Sequence, residues 1–195
     1  MLGAALDYAG RGWLVFPLHT PVLFGPKKVT EVGHALCSCR KPTCEQQGKH
    51  PRTENGLEDG TTDPETIRSW WTRWPDANIG VRTGIVDDPG VGFDVLDLDG
   101  FDAMDALDDL APAEATTVTG PMVVTGLGVH VYVPATGAKN RTAMCGRTGL
   151  DWRGAGGYVI APPSLHYRQG DRYEWSDEYG IDHPLAPVPA WLDDL

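Results

Sequence analysis

The stretch that most constrains the fold is GFDVLDLDG, residues 92–100, where apolar and acidic residues alternate. Strand side chains point alternately to two faces, so Asp97 and Asp99 share one face and the leucines beside them share the other. Two neighbouring carboxylates repel each other and are costly beside an apolar core unless a cation lies between them. The spacing leaves two interpretations open: a divalent-cation site, or a strand that ends in a turn at Asp99 and Gly100.

Length and composition predict one folded domain over residues 1–195. The chain is 41% hydrophobic and 22% charged, which is typical of a soluble globular protein with one sizeable core. Its net charge of -11 argues against a broad basic surface for nucleic acid. Clustered acids that recruit divalent cations can nevertheless approach phosphates through the metal. No apolar run reaches the roughly 18 residues of a membrane span, and the first residues lack a signal-peptide pattern, so we expect no membrane association and a cytoplasmic location.

Helix and strand patterns alternate along most of the chain. Periodicity and end signals predict helices over residues 2–12, 61–75 and 101–112. In the second helix, Thr62 or Asp63 is the predicted N-cap, and the core-facing positions are Ile67, Trp70, Trp71 and Trp74. Strands are predicted over residues 13–19, 91–100, 121–134, 149–164 and 172–176, and a short strand or turn over residues 78–84. Residues 20–60 lack a hydrophobic period, and residues 184–195 are typical of a docked end or the start of a linker.

The irregular segment carries three of the four cysteines, in CSCRKPTC, residues 37–44. In a reducing compartment such clustering indicates metal ligation before disulfides. Cys37, Cys39, Cys44 and His50 form a C-x-C-x4-C-x5-H set, which predicts structural zinc in an inserted loop over about residues 33–51. His34 is an alternative fourth ligand, and free thiols are the alternative to zinc. Cys145 stands apart and is predicted to be a lone thiol.

A glycine-rich turn precedes a histidine in TGLGVHVYV, residues 125–133. Gly126 and Gly128 allow the backbone to approach a ligand closely. His130 then lies on a strand whose valines occupy the opposite face. Two roles remain open for His130: contact with a ligand, or a structural hydrogen bond.

Another acid lies in GLDWRGAGGYVIAPPS, residues 149–164, where Asp151 and Arg153 share a strand face. This spacing can place the carboxylate on a metal and the guanidinium on a phosphate. The alternative is a surface ion pair before a turn.

In their order along the chain, these motifs resemble the bifunctional primase/polymerase (prim-pol) family of the archaeo-eukaryotic primase superfamily. The resemblance also covers the opening helix and strand, GKHPRTENG and DPETIRSWWTRWPDANIGVRTG. Asp97 and Asp99 match the paired-acid motif of the family, His130 its small-x-His motif, and Asp151 its third acid. The resemblance implies that these aspartates hold two divalent cations, Mg or Mn, and that His130 contacts the triphosphate of a nucleotide.

The chain departs from the family at Gly128, where a Ser or similar small residue is usual. Backbone amides can still meet phosphate there, but a hydroxyl contact is absent. Arg153, Lys49 and Arg82 are further candidates for phosphate or template contacts, and solvated surface charge is their alternative. A zinc-bearing loop before the paired acids is also found in prim-pol relatives.

We therefore expect an α/β (α+β) fold with an RRM-like primase catalytic core, a mixed or antiparallel sheet, and an N-terminal portion carrying the zinc loop. The expected activity is that of a DNA primase/DNA polymerase, a template-directed nucleotidyltransferase in plasmid, phage or mobile-element replication. The implied partners are a DNA template and primer, nucleoside triphosphates, and a helicase domain or protein. The alternatives are a non-catalytic nucleic-acid-binding or regulatory module and a metal-dependent phosphohydrolase.

Overall fold

A computed structural model of the protein describes residues 1–22, 36–84, 92–100, 103, 105, 120–167, 171–185 and 188. Within these ranges the fold is a mixed α+β arrangement with antiparallel strand pairs, which confirms the predicted class. The helices are α1 (Leu2–Gly10) and α2 (Pro64–Arg73). The strands are β1 (Val15–Leu18), β2 (Pro21–Val22), β3 (Leu36–Cys37), β4 (Asn78–Arg82), β5 (Phe93–Asp99), β6 (Met122–Val124), β7 (Gly128–Pro134), β8 (Leu150–Arg153), β9 (Tyr158–Ala161) and β10 (Glu174–Trp175).

The chain divides into two compact units. The first unit comprises Met1–Arg82 with Ile160–Tyr173, and the second comprises Thr83–Val159 with Glu174–Leu195. The expectation of a single domain stays a prediction, and each unit is described by itself. No helix in the described part of the chain is long and apolar enough to cross a bilayer.

In the first unit, α1 and α2 contact each other and β1, which belongs to a sheet of order β1-β4-β9. Helix α2 begins as predicted, and Asp63 rather than Thr62 is its N-cap, since its carboxylate accepts the Thr66 N–H across 2.8 Å. Ile67 and Trp71 are buried as expected. The other two predicted core tryptophans of α2 are only half-buried.

The irregular segment, residues 20–60, contains more regular secondary structure than its sequence indicates. It contains the paired strands β2 and β3 and a 3-10 helix over Gly56–Asp59. The predicted helix over residues 101–112 lies outside the described residues except for Ala103 and Asp105, which are both helical. Of the predicted tail, only residues 184, 185 and 188 are described.

The second unit is built on a five-stranded sheet of order β10-β6-β7-β5-β8 with antiparallel neighbours throughout. Turns divide the predicted long strand 121–134 into β6 and β7, and the predicted strand 149–164 into β8 and β9. One face of β5 is buried in an apolar cluster of Leu96, Leu98, Ala103, Val131, Val133, Met144, Leu150 and Trp152. The opposite face of β5 carries Asp97 and Asp99, as the period of two requires.

Candidate active site and metal centre

Strand β5 lies between β7 and β8, and this placement brings the predicted acids together. Asp97 is directly opposite His130 on β7 and directly opposite Asp151 on β8. Arg153 is two residues beyond Asp151, so it lies on the same face of β8. Asp99, two residues beyond Asp97, completes the set at the end of β5. The sheet register therefore gathers five residues that are 56 positions apart at most.

Asp97 is enclosed by two basic side chains. His130 Nε2 lies 3.4 Å from Asp97 Oδ1. Arg153 donates to Asp97 Oδ2 from Nε across 3.1 Å and from Nη2 across 2.9 Å. Burial alone raises the pKa of the Asp97 carboxyl, but His130 and Arg153 outweigh burial and hold that pKa well below its ordinary value. Asp97 is therefore an ionised carboxylate in a largely buried position.

Asp151 shares the same guanidinium. Arg153 Nη2 donates to Asp151 Oδ2 across 2.7 Å, so one nitrogen joins the carboxylates of Asp97 and Asp151. The other oxygen, Asp151 Oδ1, accepts the backbone N–H of Ala143 across 2.8 Å. Ala143 has a φ of 51°, in the left-handed region that is uncommon outside glycine. This backbone turn aims its N–H at the acid.

Asp99 is fixed through its backbone, and its side chain is exposed. Its N–H donates to the carbonyl oxygen of Gly149 across 2.8 Å. On its other side, Asp99 is paired with Gly128 of β7. A Cβ on Gly128 would collide with the Leu98 carbonyl oxygen, and a Cβ on Gly149 would collide with that of Asp99. Packing thus requires glycine at both positions.

A cavity of about 610 Å³ opens beside Asp99 and Asp151. Its other lining residues are Gly100, Thr142, Ala143, Thr148 and Gly149. The volume is in the usual range for small-molecule sites. The sequence did not predict that the loop before β8 lines this cavity. The loop contributes threonine side chains and backbone groups, and these follow no periodic pattern. Its only signal was the pair of glycines in CGRTG, residues 145–149.

The acid cluster has the donor chemistry of a magnesium or manganese site. Carboxylate oxygens are the ligands that these hard cations prefer. Asp97 and Asp151 are adjacent on one face, and Asp99 lines the cavity beside them. Asp97 and Asp151 share Arg153 as their counter-ion in this structure. By donor type and placement, these residues fit a divalent cation.

The predicted zinc ligands are brought together in the first unit. The ligand atoms of Cys37, Cys39, Cys44 and His50 all lie within 4.8 Å of one another. His50 Nε2 is 3.4 Å from Cys37 Sγ and 3.5 Å from Cys44 Sγ. Three sulfurs and one imidazole nitrogen suit tetrahedral zinc. The Cys3His group could therefore bind zinc, whereas the alternative ligand His34 lies outside the described residues.

Hydrogen bonds to Ser38 hold the loop around these ligands. Ser38 Oγ accepts the Thr20 N–H across 2.9 Å and an Arg52 Nη2 hydrogen across 2.7 Å. It also lies 2.9 Å from His19 Nδ1. The His19 ring packs on that of His50, with centroids 4.3 Å apart. The serine inside CSC therefore links the ligand loop to the chain that follows β1.

The pKa values of His19 and of the ligand Cys44 reflect this crowded setting. Burial lowers the pKa of His19 to about 4, with help from the nearby basic residues. Burial and the neighbouring thiols raise the pKa of Cys44 to about 11, so this thiol is protonated at neutral pH in the absence of metal. Metal binding would have to release that proton.

The remaining predicted residues lie in other surroundings. Lys49 Nζ is 5.0 Å from the centroid of the Tyr167 ring. Arg82 forms an ion pair with Glu58, with 3.0 Å between Nη1 and Oε2. Their proposed contacts with phosphate or template stay predictions. The side chain of Cys145 lies outside the described part of the structure.

In this α+β fold the internal strand β5 presents paired acids beside a histidine and an arginine, which are residue types that suit divalent cations and phosphates. The sequence model of the family described as "bifunctional DNA primase/polymerase, N-terminal" matches residues 5–191. The chain therefore belongs to the bifunctional DNA primase/polymerase family, which confirms the resemblance. Membership supports a DNA primase/polymerase role. A comparison with curated proteins found no match.

Proposed function

We propose that the protein is a template-directed nucleotidyltransferase that synthesises and extends DNA primers from nucleoside triphosphates. The observation that carries this proposal is the placement of Asp97, Asp99 and Asp151 on one sheet face, with His130 directly opposite Asp97. Family membership supplies the general role. The side chains of the site supply the chemistry.

Asp97, Asp99 and Asp151 would hold two divalent cations, Mg or Mn. When bound, such cations lower the pKa of an attacking 3'-hydroxyl and stabilise the pyrophosphate leaving group. Asp97 is suited to this role because its pKa is low, so the carboxylate stays ionised across the neutral range.

The basic residues of the site are suited to the nucleotide phosphates. His130 is 7% exposed and therefore has a restricted orientation. It would contact the triphosphate, and the Gly128 backbone would allow phosphate to approach closely. Arg153 can form paired hydrogen bonds with a phosphate.

The cavity beside Asp99 would receive part of the nucleotide. Thr142 and Thr148 line it and offer hydroxyl groups that both donate and accept hydrogen bonds. The Cys3His loop would contribute structural zinc, outside the reaction itself. Lys49 and Arg82 remain candidates for template contacts, and replication context and a helicase partner stay predictions.

A labelled-nucleotide assay tests the proposal and its alternatives together. The zinc-loaded chain is incubated with single-stranded DNA, labelled nucleoside triphosphates and Mg or Mn, with and without a primer. Products longer than the primer, or new chains without one, support the proposal. Released phosphate without longer products indicates a phosphohydrolase, and neither product indicates a binding module. The Asp97→Asn chain, checked for folding by circular dichroism, shows whether any product depends on the acids.

A further inference from the structure

The position of Arg153 has a consequence for cation binding. Its Nη2 lies 2.9 Å from Asp97 Oδ2 and 2.7 Å from Asp151 Oδ2, so it stands between the two carboxylates. Direct cross-strand pairing of Asp97 with Asp151 places like charges opposite each other, which destabilises a sheet unless a cation intervenes. Arg153 is that cation in this structure.

A divalent cation held by Asp97 and Asp151 would compete with Arg153 for their oxygens, because His130 lies beside Asp97 Oδ1 and the Ala143 N–H already donates to Asp151 Oδ1. Magnesium binds carboxylate oxygens at about 2.0–2.1 Å, so an ion held by both Asp97 and Asp151 would exclude the Arg153 guanidinium from the space between them. Among the described residues, the Cys3His group is the one set of three or more potential ligands already drawn together enough to hold an ion. At the acid cluster, Arg153 occupies the space between Asp97 and Asp151, which are two of the proposed cation ligands.

We propose that Arg153 and a divalent cation are alternative counter-ions of Asp97 and Asp151. Arg153 neutralises the pair before metal binds and is released from both carboxylates when metal arrives. The released guanidinium is then available to the phosphates of the nucleotide, so metal and nucleotide favour each other's binding. The role of the nucleotide rests on the proposed function, whereas the exchange concerns only Arg153, the acids and the cation.

Binding of Mn²⁺ without nucleotide tests the exchange without catalysis. Free Mn²⁺ is measured by electron paramagnetic resonance during titration of the full, zinc-loaded chain. The Arg153→Gln chain should bind Mn²⁺ at least about fivefold more tightly than the wild type. Arg153→Lys keeps the positive charge but loses the paired donors of the guanidinium. Its Mn²⁺ affinity should lie between those of the wild type and Arg153→Gln. An unchanged or weaker affinity in Arg153→Gln would overturn the proposal.

Two controls separate exchange from a general change in charge. Arg141→Ala removes an exposed positive charge in the same unit, at a position opposite Trp152 rather than Asp151, and should change Mn²⁺ affinity by less than about twofold. In the Asp97→Asn background, Arg153→Gln should give a smaller gain, because only the contact of Arg153 with Asp151 is then left to displace. Equal gains in Arg141→Ala and Arg153→Gln would contradict the exchange.

Thermal unfolding supplies a second measurement, and it also shows whether the Arg153→Gln chain folds. Without Mn²⁺, Arg153→Gln should melt at a lower temperature than the wild type, and saturating Mn²⁺ should close the gap. If Arg153→Gln does not fold, the Mn²⁺ affinity of Arg153→Lys tests the exchange instead. Tighter binding than in the wild type supports the exchange, and equal or weaker binding contradicts it. Nucleotide incorporation is measured separately. If the wild type incorporates no nucleotide but Arg153→Gln gains Mn²⁺ affinity as expected, the result counts against the proposed function alone. If the wild type incorporates nucleotide but Arg153→Gln shows no gain in Mn²⁺ affinity, the result counts against the exchange alone.

Discussion

Gly149 holds the backbone of Asp99 in place: the Asp99 N–H donates to the Gly149 carbonyl oxygen across 2.8 Å. Gly149 has a φ of 86°, and a Cβ there would collide with the Asp99 carbonyl oxygen. Asp99, which lines the cavity, is therefore positioned by a glycine, and any residue with a Cβ in its place would force the backbone to move.

Replacing Gly149 by Ala should displace Asp99 and destabilise the second unit. Left-handed backbone costs a residue with a Cβ about 1–2 kcal/mol, and overpacking adds about 1–3 kcal/mol. Gly146→Ala is the matched control, because Gly146 has a φ of 73° but no atom within 4 Å of an added Cβ. Urea unfolding should show a larger loss for Gly149→Ala than for Gly146→Ala. Equal losses would show that contact with Asp99 contributes nothing.

Gly128→Ser, which introduces the residue that the family resemblance predicted at this position, should harm this chain. The added Cβ would collide with the Leu98 carbonyl oxygen and approach Asp99 Cα, so β5 and β7 would have to separate locally. We expect a loss of about 1–3 kcal/mol in the free energy of unfolding, and reduced nucleotide incorporation. Higher activity with unchanged stability would mean that the hydroxyl outweighs the crowding.

Removal of a cysteine from the Cys3His group should remove zinc and destabilise the first unit. The purified wild type should contain about one zinc per chain, and Cys44→Ser should lose most of it because thiolate ligands bind the ion tightly. Metal content is measured by mass spectrometry alongside the melting temperature. Cys145→Ser, outside the group, should keep its zinc. Equal zinc in the Cys44→Ser and wild-type chains would contradict the assignment.

Asp94 should make stability fall as pH rises. It is fully buried on the face opposite Asp97, and burial raises its pKa although Thr136 donates two hydrogen bonds to Oδ2. A raised folded-state pKa means that the stabilising contribution is complete below the ordinary pKa of about 4 and declines as pH rises through the folded value.

Comparison with Asp94→Asn isolates this contribution. The difference in unfolding free energy, wild type minus Asp94→Asn, should decrease steadily from pH 4 upwards in urea titrations. Because both chains contain the same zinc ligands, the pH dependence of metal binding largely cancels in the difference. A pH-independent difference would show that Asp94 titrates normally.

The local patterns of the sequence predicted the elements that depend on them. Asp63 caps helix α2, and the helix buries Ile67, because capping and periodicity are properties of consecutive residues. The sharing of a face by Asp97 and Asp99 follows in the same way from the strand period. The cysteine spacing likewise predicted the Cys3His group, since its ligands lie within fourteen residues.

Contacts that depend on register could not be predicted. The sequence placed Asp151 and Arg153 on one face but gave no reason for the guanidinium to join Asp97, because that contact requires the pairing of β5 with β8. The Ala143 N–H at Asp151 depends on an unusual backbone angle that alanine does not signal. The hydrogen bonds of Ser38 were equally hidden.

The most direct test of the central claim is the position of Mn²⁺ in a crystal grown with a non-hydrolysable nucleotide. Anomalous scattering recorded at the manganese edge should show two ions bound by Asp97, Asp99 and Asp151, with His130 directed at the phosphates. Manganese absent from these carboxylates, with nucleotide bound elsewhere, would contradict the account.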